Sequence, residues 1–116
     1  MSQSPLGSSK ALSTMLTYLA ETVDDRADAD PADSYTARLL SKGTLHCGKK
    51  IAEEGAELAL ALAAEGRSET AAEAADVLYH VFVGLRAKGV SLDKVAAALA
   101  KRQGVSGLAE KAARSE

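Results

Sequence analysis

Two pairs of acidic residues flank a glycine in the middle of the chain, and their types and spacing suit the binding of a divalent cation. Glu54 and Glu57 precede Gly66, and Glu73 and Asp76 follow it. Residues three apart share one face of an α-helix, so each pair presents both carboxylates on one side. If the chain folds back at Gly66, the residue numbers of facing positions sum to a constant, which holds for Glu54 with Asp76 and for Glu57 with Glu73. The sequence therefore predicts that four carboxylates meet at one place.

Carboxylates this close together need a counter-charge. Apolar segments at 58–64 and 77–85 surround the acids, so these helices are expected to be buried on most sides. Burying unpaired charges is unfavourable, and like charges would force one carboxyl group to keep a proton. Oxygen ligands without clustered cysteines favour Mg²⁺ or Mn²⁺ over zinc, and Mg²⁺ commonly completes its shell with substrate phosphates. A solvated acidic face is the alternative interpretation of this spacing.

Lys50 and His80 extend the acidic pattern on the same helical faces. Lys50 lies four residues before Glu54, and His80 lies four residues after Asp76. Lys50 suits either a contact to a phosphate group or an ion pair with Glu54. His80 suits either a substrate contact or a place in the core with its ring nitrogens satisfied by neighbours. With a metal site beside them, these residues point to phosphate chemistry.

Five helices are predicted to position these residues. Abundant alanine, two prolines and only four aromatic residues favour helices over a sheet. Ser34, Ser68 and Ser91 are the expected N-caps of the second, fourth and fifth helices, and Gly89 is expected to end the fourth. Hydrophobic periodicity and these signals place the helices at about 10–27, 34–41, 45–65, 68–88 and 91–103.

The predicted fold class is all-α. We expect a helical bundle around an antiparallel pair, the third and fourth helices, completed by dimerisation. A single domain is expected at residues 10–104, between a flexible N-terminal tail at 1–9 and a polar C-terminal segment at 105–116.

Composition narrows the functional classes. A chain of 116 residues with 47% hydrophobic composition has a thin core, which is one reason to expect a partner subunit. The net charge of −2 argues against a nucleic-acid binder, because such proteins carry a basic excess. No apolar run reaches the roughly 20 residues of a membrane span, and the first ten residues lack a signal-peptide core. Cys47 is the only cysteine and suits a reducing compartment. We therefore expect a cytoplasmic protein without membrane contact.

Five segments that together span most of the chain carry a family likeness: residues 49–57 (KKIAEEGAE), 73–80 (EAADVLYH), 34–37 (SYTA), 42–43 (KG) and 106–111 (SGLAEK). They resemble the phosphoribosyl-ATP pyrophosphatases of histidine biosynthesis, which belong to the MazG-like all-α nucleotide pyrophosphohydrolases. The paired acids alone indicate only this wider group, whereas the Ser-Tyr-Thr-Ala and Tyr-His segments favour the histidine enzyme.

The resemblance implies Mg²⁺-dependent hydrolysis of phosphoribosyl-ATP between its α and β phosphates, giving phosphoribosyl-AMP and pyrophosphate. It also implies a homodimer whose subunits pack into one bundle. Carried over to this sequence, the motif's lysine falls on Lys50, and its metal ligands fall on Glu54, Glu57, Glu73 and Asp76. On this hypothesis Glu53 joins these acids in the catalytic set, and either Glu53 or another acid not fully engaged by the metal accepts the proton of an attacking water.

The remaining candidates bind substrate. Arg102 and Lys111, near the end of the chain, are expected to hold other phosphates, including the ribose 5-phosphate, through charge-assisted hydrogen bonds. Lys50 and His80 complete the expected substrate-binding set. For Arg102 and Lys111 the alternative is a solvated helix end.

Three other functions are compatible with parts of the pattern. A related enzyme could hydrolyse a different nucleoside triphosphate with the same acids. A carboxylate-bridged di-iron bundle fits less well, because such sites use a glutamate with a histidine three residues later, whereas His80 lies four residues after Asp76. A helical dimerisation module, with solvated or ion-paired acids, is the alternative without catalysis.

Overall fold

The computed structural model describes residues 6–7 and 10–103, and the described residues form five α-helices without a strand. The all-α prediction is therefore confirmed for this part of the chain. Most of the predicted N-terminal tail and all of the predicted segment 105–116 lie outside the described residues. No described helix is long and apolar enough to cross a membrane. The helices are α1 (Lys10–Arg26), α2 (Tyr35–Ser41), α3 (Thr44–Ala64), α4 (Arg67–Lys88) and α5 (Leu92–Arg102).

Side-chain caps and glycines set most of the helix ends where the sequence predicted them. The Ser34 hydroxyl accepts a hydrogen bond from the Ala37 amide at 3.1 Å, and the Ser91 hydroxyl accepts one from the Lys94 amide at 3.3 Å. Gly89 ends α4 with a φ of 76°, in the left-handed region where a side chain would add strain.

The predicted cap of α4 is wrong. Gly66, not Ser68, is the N-cap, and no side chain caps this helix. Thr70 explains how the turn is held without that cap. Its hydroxyl contacts the carbonyl of Gly66 at 2.9 Å and that of Ala61 at 3.2 Å, so it ties the last turn of α3 to the first turn of α4.

The antiparallel pair α3 and α4 forms the centre of the fold, as predicted, and α1 and α2 pack against it. The buried core lies at the far end of this pair from the Gly66 turn, where Val23 of α1, Leu39 of α2, Cys47 of α3 and Val83 of α4 meet. The two central helices approach closely there, since a Cβ on Gly84 would lie 2.9 Å from the Ile51 side chain. This contact and the Thr70 link fix how the acids of α3 face those of α4.

The central helices are less buried than the sequence predicted. Along α3 only Cys47 and Ala61 are buried, and along α4 only His80 and Val83. Leu60 and Leu62 are 66% and 69% exposed, and no residue of α5 is buried. One chain covers only part of the helix surfaces, so apolar faces that the pattern assigned to a core remain open to solvent in the single chain.

Candidate metal centre

Three of the four predicted metal ligands meet between α3 and α4, about two to three helical turns from the Gly66 bend. One carboxylate oxygen from each of Glu54, Glu57 and Glu73 lies within 4.8 Å of the other two. Glu54 and Glu73 are half-buried, whereas Glu57 is exposed. The opposed spacing that the sequence predicted therefore does bring acids of both helices together.

Asp76, the fourth predicted ligand, lies beside this group but outside it. Its side chain is exposed, yet its charge helps to raise the pKa of both Glu54 and Glu73. Among the described residues, its carboxylate is not part of the group that lies within 4.8 Å. The Asp76 backbone carbonyl is engaged separately, by a contact with the ring of His80. Three carboxylates thus form the cluster, and Asp76 borders it.

The cluster carries more negative charge than its surroundings offset. Hydrogen bonding with Glu57 raises the pKa of Glu54 most strongly, and desolvation and the Glu57 charge add to it. Desolvation raises the pKa of Glu73, followed by the charges of Glu57 and Asp76. The Oε2 atom of Glu73 is covered from solvent and has no hydrogen-bond partner among the described residues. Buried oxygens of this kind are normally paired, so the cluster is short of a positive charge.

Lys50 supplies a positive charge on one side only. Its Nζ atom lies 3.2 Å from Glu53 Oε2 and 4.0 Å from Glu54 Oε1, and the hydrogen bond to Glu53 is the main cause of its raised pKa. In this structure Lys50 is therefore an ion-pair partner, and no ion pair of Glu57 or Glu73 is present within residues 10–103. Glu53 is exposed and occupied by Lys50, so it stands next to the acid cluster rather than within it.

His80 is buried beneath the acids, with only 6% of its surface exposed. Its Nδ1 atom lies 2.9 Å from the Asp76 carbonyl oxygen, and its Nε2 atom lies 3.5 Å from the Tyr35 hydroxyl. Both ring nitrogens thus have neighbours, as the core alternative anticipated. The His80 ring therefore offers almost no surface to a substrate in the single chain. Its neighbour Tyr35 is 47% exposed.

Tyr35 is the residue that the sequence did not single out as part of the site. It follows the Ser34 N-cap of α2, and its ring stacks on Tyr79 of α4 with a centroid distance of 6.3 Å. The neighbouring Thr36 hydroxyl bonds to the Tyr79 hydroxyl at 2.6 Å. The signal was present in the Ser-Tyr-Thr-Ala and Tyr-His segments, which carried the resemblance and which the fold places against each other.

The two remaining candidates lie away from the centre of the described fold. Arg102 is exposed in the last turn of α5. Lys111 lies outside the described residues. Their assignment to phosphate groups of a substrate stays a prediction.

Comparison with known proteins agrees with the family expected from the sequence. Residues 16–103 match the family model described as phosphoribosyl-ATP pyrophosphohydrolase. A phosphoribosyl-ATP pyrophosphatase 1 of Bradyrhizobium diazoefficiens is 51% identical, and the match covers 84% of this chain and 92% of that protein. A phosphoribosyl-ATP pyrophosphatase of Rhodobacter capsulatus is 50% identical over 87% of this chain and 98% of its own length. A histidine biosynthesis bifunctional protein of Wolinella succinogenes is 53% identical over 78% of this chain and 40% of its own length.

The raised pKa values of Glu54 and Glu73 predict a pH-dependent response to Mg²⁺ in thermal melts. A carboxyl group whose pKa is higher in the folded state contributes stability below its unfolded pKa of about 4.3, and this contribution is lost as the pH rises through the folded pKa. A cation that binds the deprotonated acids only in the folded state raises the free energy of unfolding, by about 2.7 kcal/mol at a free concentration of 100 times its Kd. We therefore expect Mg²⁺ to raise the Tm clearly at pH 7.5 and little at pH 4.5.

Two substitutions provide the comparison for this measurement. Glu73→Gln should raise the Tm of the metal-free protein and reduce its response to Mg²⁺, because a neutral amide replaces the carboxylate with the unpaired oxygen. Glu21→Gln makes the same chemical change at an exposed acid of α1 and should respond to Mg²⁺ like the wild type. Equal Mg²⁺ shifts in all three proteins would contradict a metal centre at Glu73.

Proposed function

The chain belongs to the phosphoribosyl-ATP pyrophosphohydrolase family, and from this premise we propose that the acids between α3 and α4 are its active site. It is a hydrolase of histidine biosynthesis that converts phosphoribosyl-ATP to phosphoribosyl-AMP and pyrophosphate. The observation that carries the assignment of the site is the meeting of Glu54, Glu57 and Glu73, with one oxygen of Glu73 covered and unpaired.

The donor set fits Mg²⁺, with Mn²⁺ as a substitute. Carboxylate oxygens are the ligands that these hard cations prefer, and a cation would pair the free oxygen of Glu73. Glu54, Glu57 and Glu73 would hold the ion. Asp76 would join them by adopting a different side-chain rotamer. When bound, Mg²⁺ neutralises charge on the pyrophosphate leaving group and makes a nearby water more acidic.

Lys50 and Glu53 have linked roles in this proposal. In the absence of substrate their side chains are 3.2 Å apart. Phosphate oxygens offer Lys50 a competing and more highly charged partner, so binding of the triphosphate would draw its ammonium group away from Glu53. Glu53 would then be free to accept a proton from the attacking water. The ion pair thus keeps the base occupied until a substrate is bound.

Groups farther from the cleaved bond complete substrate binding. We assign Arg102 and Lys111 to the other phosphates, including the ribose 5-phosphate, as charge-assisted donors. His80 is assigned a positioning role, because its buried ring touches the Asp76 carbonyl and Tyr35 rather than open space.

A homodimer in the cytoplasm is the proposed working form. Leu60 lies one turn beyond Glu57 on α3 and is 66% exposed. A groove of about 430 Å³ lies between α1, the end of α4 and the start of α5, with Val23, Phe82 and Leu85 in its lining. A second chain would cover these surfaces and exclude water from the acids beside Leu60. The reduced thiol of Cys47, which is buried, suits the cytoplasm.

The substrate assignment predicts a clear order of activities. With Mg²⁺ present, pyrophosphate release from phosphoribosyl-ATP should exceed release from ATP or dCTP by at least tenfold in kcat/KM, and a chelator should abolish it. The products are to be separated and quantified by chromatography. Faster hydrolysis of either simple nucleotide would replace this function with that of a related pyrophosphohydrolase.

Removal of a single acid should abolish most turnover while the fold remains. Glu57→Gln and Glu73→Gln are each expected to lower kcat by roughly 100-fold or more, since a correctly held metal ion contributes several kcal/mol of charge stabilisation. Glu21→Gln, the exposed control on α1, should keep the wild-type rate. Wild-type turnover in Glu57→Gln or Glu73→Gln at saturating Mg²⁺ would reject the proposed site.

The proposed dimer can be tested independently by light scattering of the purified protein. The wild type should have twice the mass of one chain. Leu60→Asp should shift the mass toward the monomer, because it puts a charge on an apolar surface next to Glu57. Ser13→Asp, at an exposed polar position of α1, should leave the mass unchanged. A monomeric wild type would refute the dimer.

A further inference from the structure

A second set of polar residues adjoins the acids where the start of α2 meets α4. Tyr35 and Thr36 of α2 contact Tyr79 and His80 of α4. None of the proposed roles in metal binding or proton transfer uses Tyr35. Among these four residues, Tyr35 alone has a half-exposed side chain whose hydroxyl contacts the buried His80 ring.

The contacts of His80 determine which way the hydrogen bond to Tyr35 runs. The Asp76 carbonyl oxygen, 2.9 Å from Nδ1, can only accept, so Nδ1 carries a hydrogen. In a neutral imidazole the other nitrogen, Nε2, is then an acceptor. With a neutral ring, the Tyr35 hydroxyl, 3.5 Å away, is placed to donate its hydrogen to Nε2. Its oxygen keeps its lone pairs available, so it offers an acceptor and no donor to a bound molecule.

Neighbouring rings hold this acceptor in place although the side chain is half-exposed. The Tyr35 ring lies nearly parallel to Tyr79, at 17°, and edge-on to His80, at 79°. The Tyr79 hydroxyl is fixed in turn by Thr36 at 2.6 Å. An aromatic side chain has only two rotatable bonds, so these contacts leave it little freedom. The hydroxyl oxygen is thus preorganised for binding.

The position of this acceptor relates it to the phosphate site. His80 links Tyr35 to the backbone of Asp76, which borders the acid cluster. On its other side the cluster is bordered by Lys50, whose Nζ atom lies 4.0 Å from Glu54 Oε1. Tyr35 and the residue assigned to phosphate therefore border the same group of acids. Phosphate oxygens are themselves acceptors and do not suit the Tyr35 oxygen, so the matching group is a donor attached close to the phosphates.

We propose that Tyr35, oriented by His80, accepts a hydrogen bond from a hydroxyl of the ribose that carries the triphosphate. This inference rests on the proposed function, which supplies the nucleotide. The 2′ and 3′ hydroxyls are donors only a few bonds from the α phosphate, and they are absent from pyrophosphate itself. Tyr35 is then a substrate-binding residue and His80 a positioning residue.

The first test is the effect of Tyr35→Phe on hydrolysis of phosphoribosyl-ATP. This variant keeps the ring that stacks on Tyr79 and removes only the hydroxyl. The KM should rise about five- to tenfold, in line with the loss of one hydrogen bond, and kcat should stay within about twofold. Tyr18→Phe, at a 65% exposed tyrosine of α1, should match the wild type. An unchanged KM in Tyr35→Phe would overturn the proposal, as would a fall in kcat alone.

Two substitutions at His80 separate positioning from general packing. In Gln the amide oxygen lies near the place of Nε2 and can accept from Tyr35, whereas Asn offers a donor near the place of Nδ1 only. His80→Gln should therefore keep KM within about twofold of the wild type. His80→Asn should raise KM as Tyr35→Phe does, and the double variant Tyr35→Phe/His80→Asn should be no worse than either. Additive losses would refute the proposed coupling, and loss of folding at His80 would leave Tyr35→Phe as the deciding variant.

Substrates that lack one hydroxyl complete the experiment. The wild type should discriminate at least fivefold in KM against either the 2′-deoxy or the 3′-deoxy form of the adenosine ribose, and Tyr35→Phe less than twofold against both. If the wild type releases pyrophosphate but Tyr35→Phe discriminates equally well, only the ribose contact is wrong. If the wild type releases none from the complete substrate, the proposed function fails and this inference fails with it.

Discussion

Electrostatic repulsion between carboxylates of α3 and α4 is the constraint on which the rest of the structure depends. Glu54, Glu57 and Glu73 are held within 4.8 Å of one another, and one oxygen of Glu73 has neither solvent nor a hydrogen bond among the described residues. Such an arrangement opposes folding unless a proton or a cation is taken up. The scaffold therefore has to hold the two helices together firmly, and it does so with Thr70 at the turn and with the Val83 core at the other end.

Polar groups follow the hairpin in successive layers. By their order along the hairpin, Glu57 and Glu73 come nearest the turn, Glu54 and Asp76 lie about one turn farther, and Lys50 and His80 about one turn farther again. The Glu54 carboxylate lies with those of Glu57 and Glu73, and Asp76 borders them. Negative charge is concentrated in the first two layers, and positive charge enters with Lys50 in the third. In the proposed function, a chain of phosphates laid along this order of charges would meet a cation at one end and the Lys50 ammonium group at the other.

The sequence predicted the helices and the meeting of the acids because both follow from local rules. Helical spacing and a turn at Gly66 fix which residues face each other, and capping residues such as Ser34 and Ser91 fix the ends. Burial could not be predicted in this way. Leu60 and Leu62 read as core residues, but whether a surface is covered depends on what else packs there, including other chains. The prediction of Ser68 as a cap is wrong because the start of α4 is held by Thr70, whose link to Ala61 depends on contact between two helices.

Local sequence rules predict neither the role of Tyr35 nor the identity of the substrate, and the two reasons differ. The role of Tyr35 depends on a tertiary contact with His80, 45 residues away in the chain. The acids are the reason for proposing a cation and phosphates at this site, but the same acids would suit many nucleotides. The substrate came from family resemblance, which the family match over residues 16–103 bears out.

The central claim is that the acid cluster binds a divalent cation. Isothermal titration of Mn²⁺ into the metal-free protein tests it most directly. The account predicts saturable binding that is lost in Glu73→Gln and kept in Glu21→Gln. Binding that is unchanged in Glu73→Gln, or absent from the wild type, would contradict it.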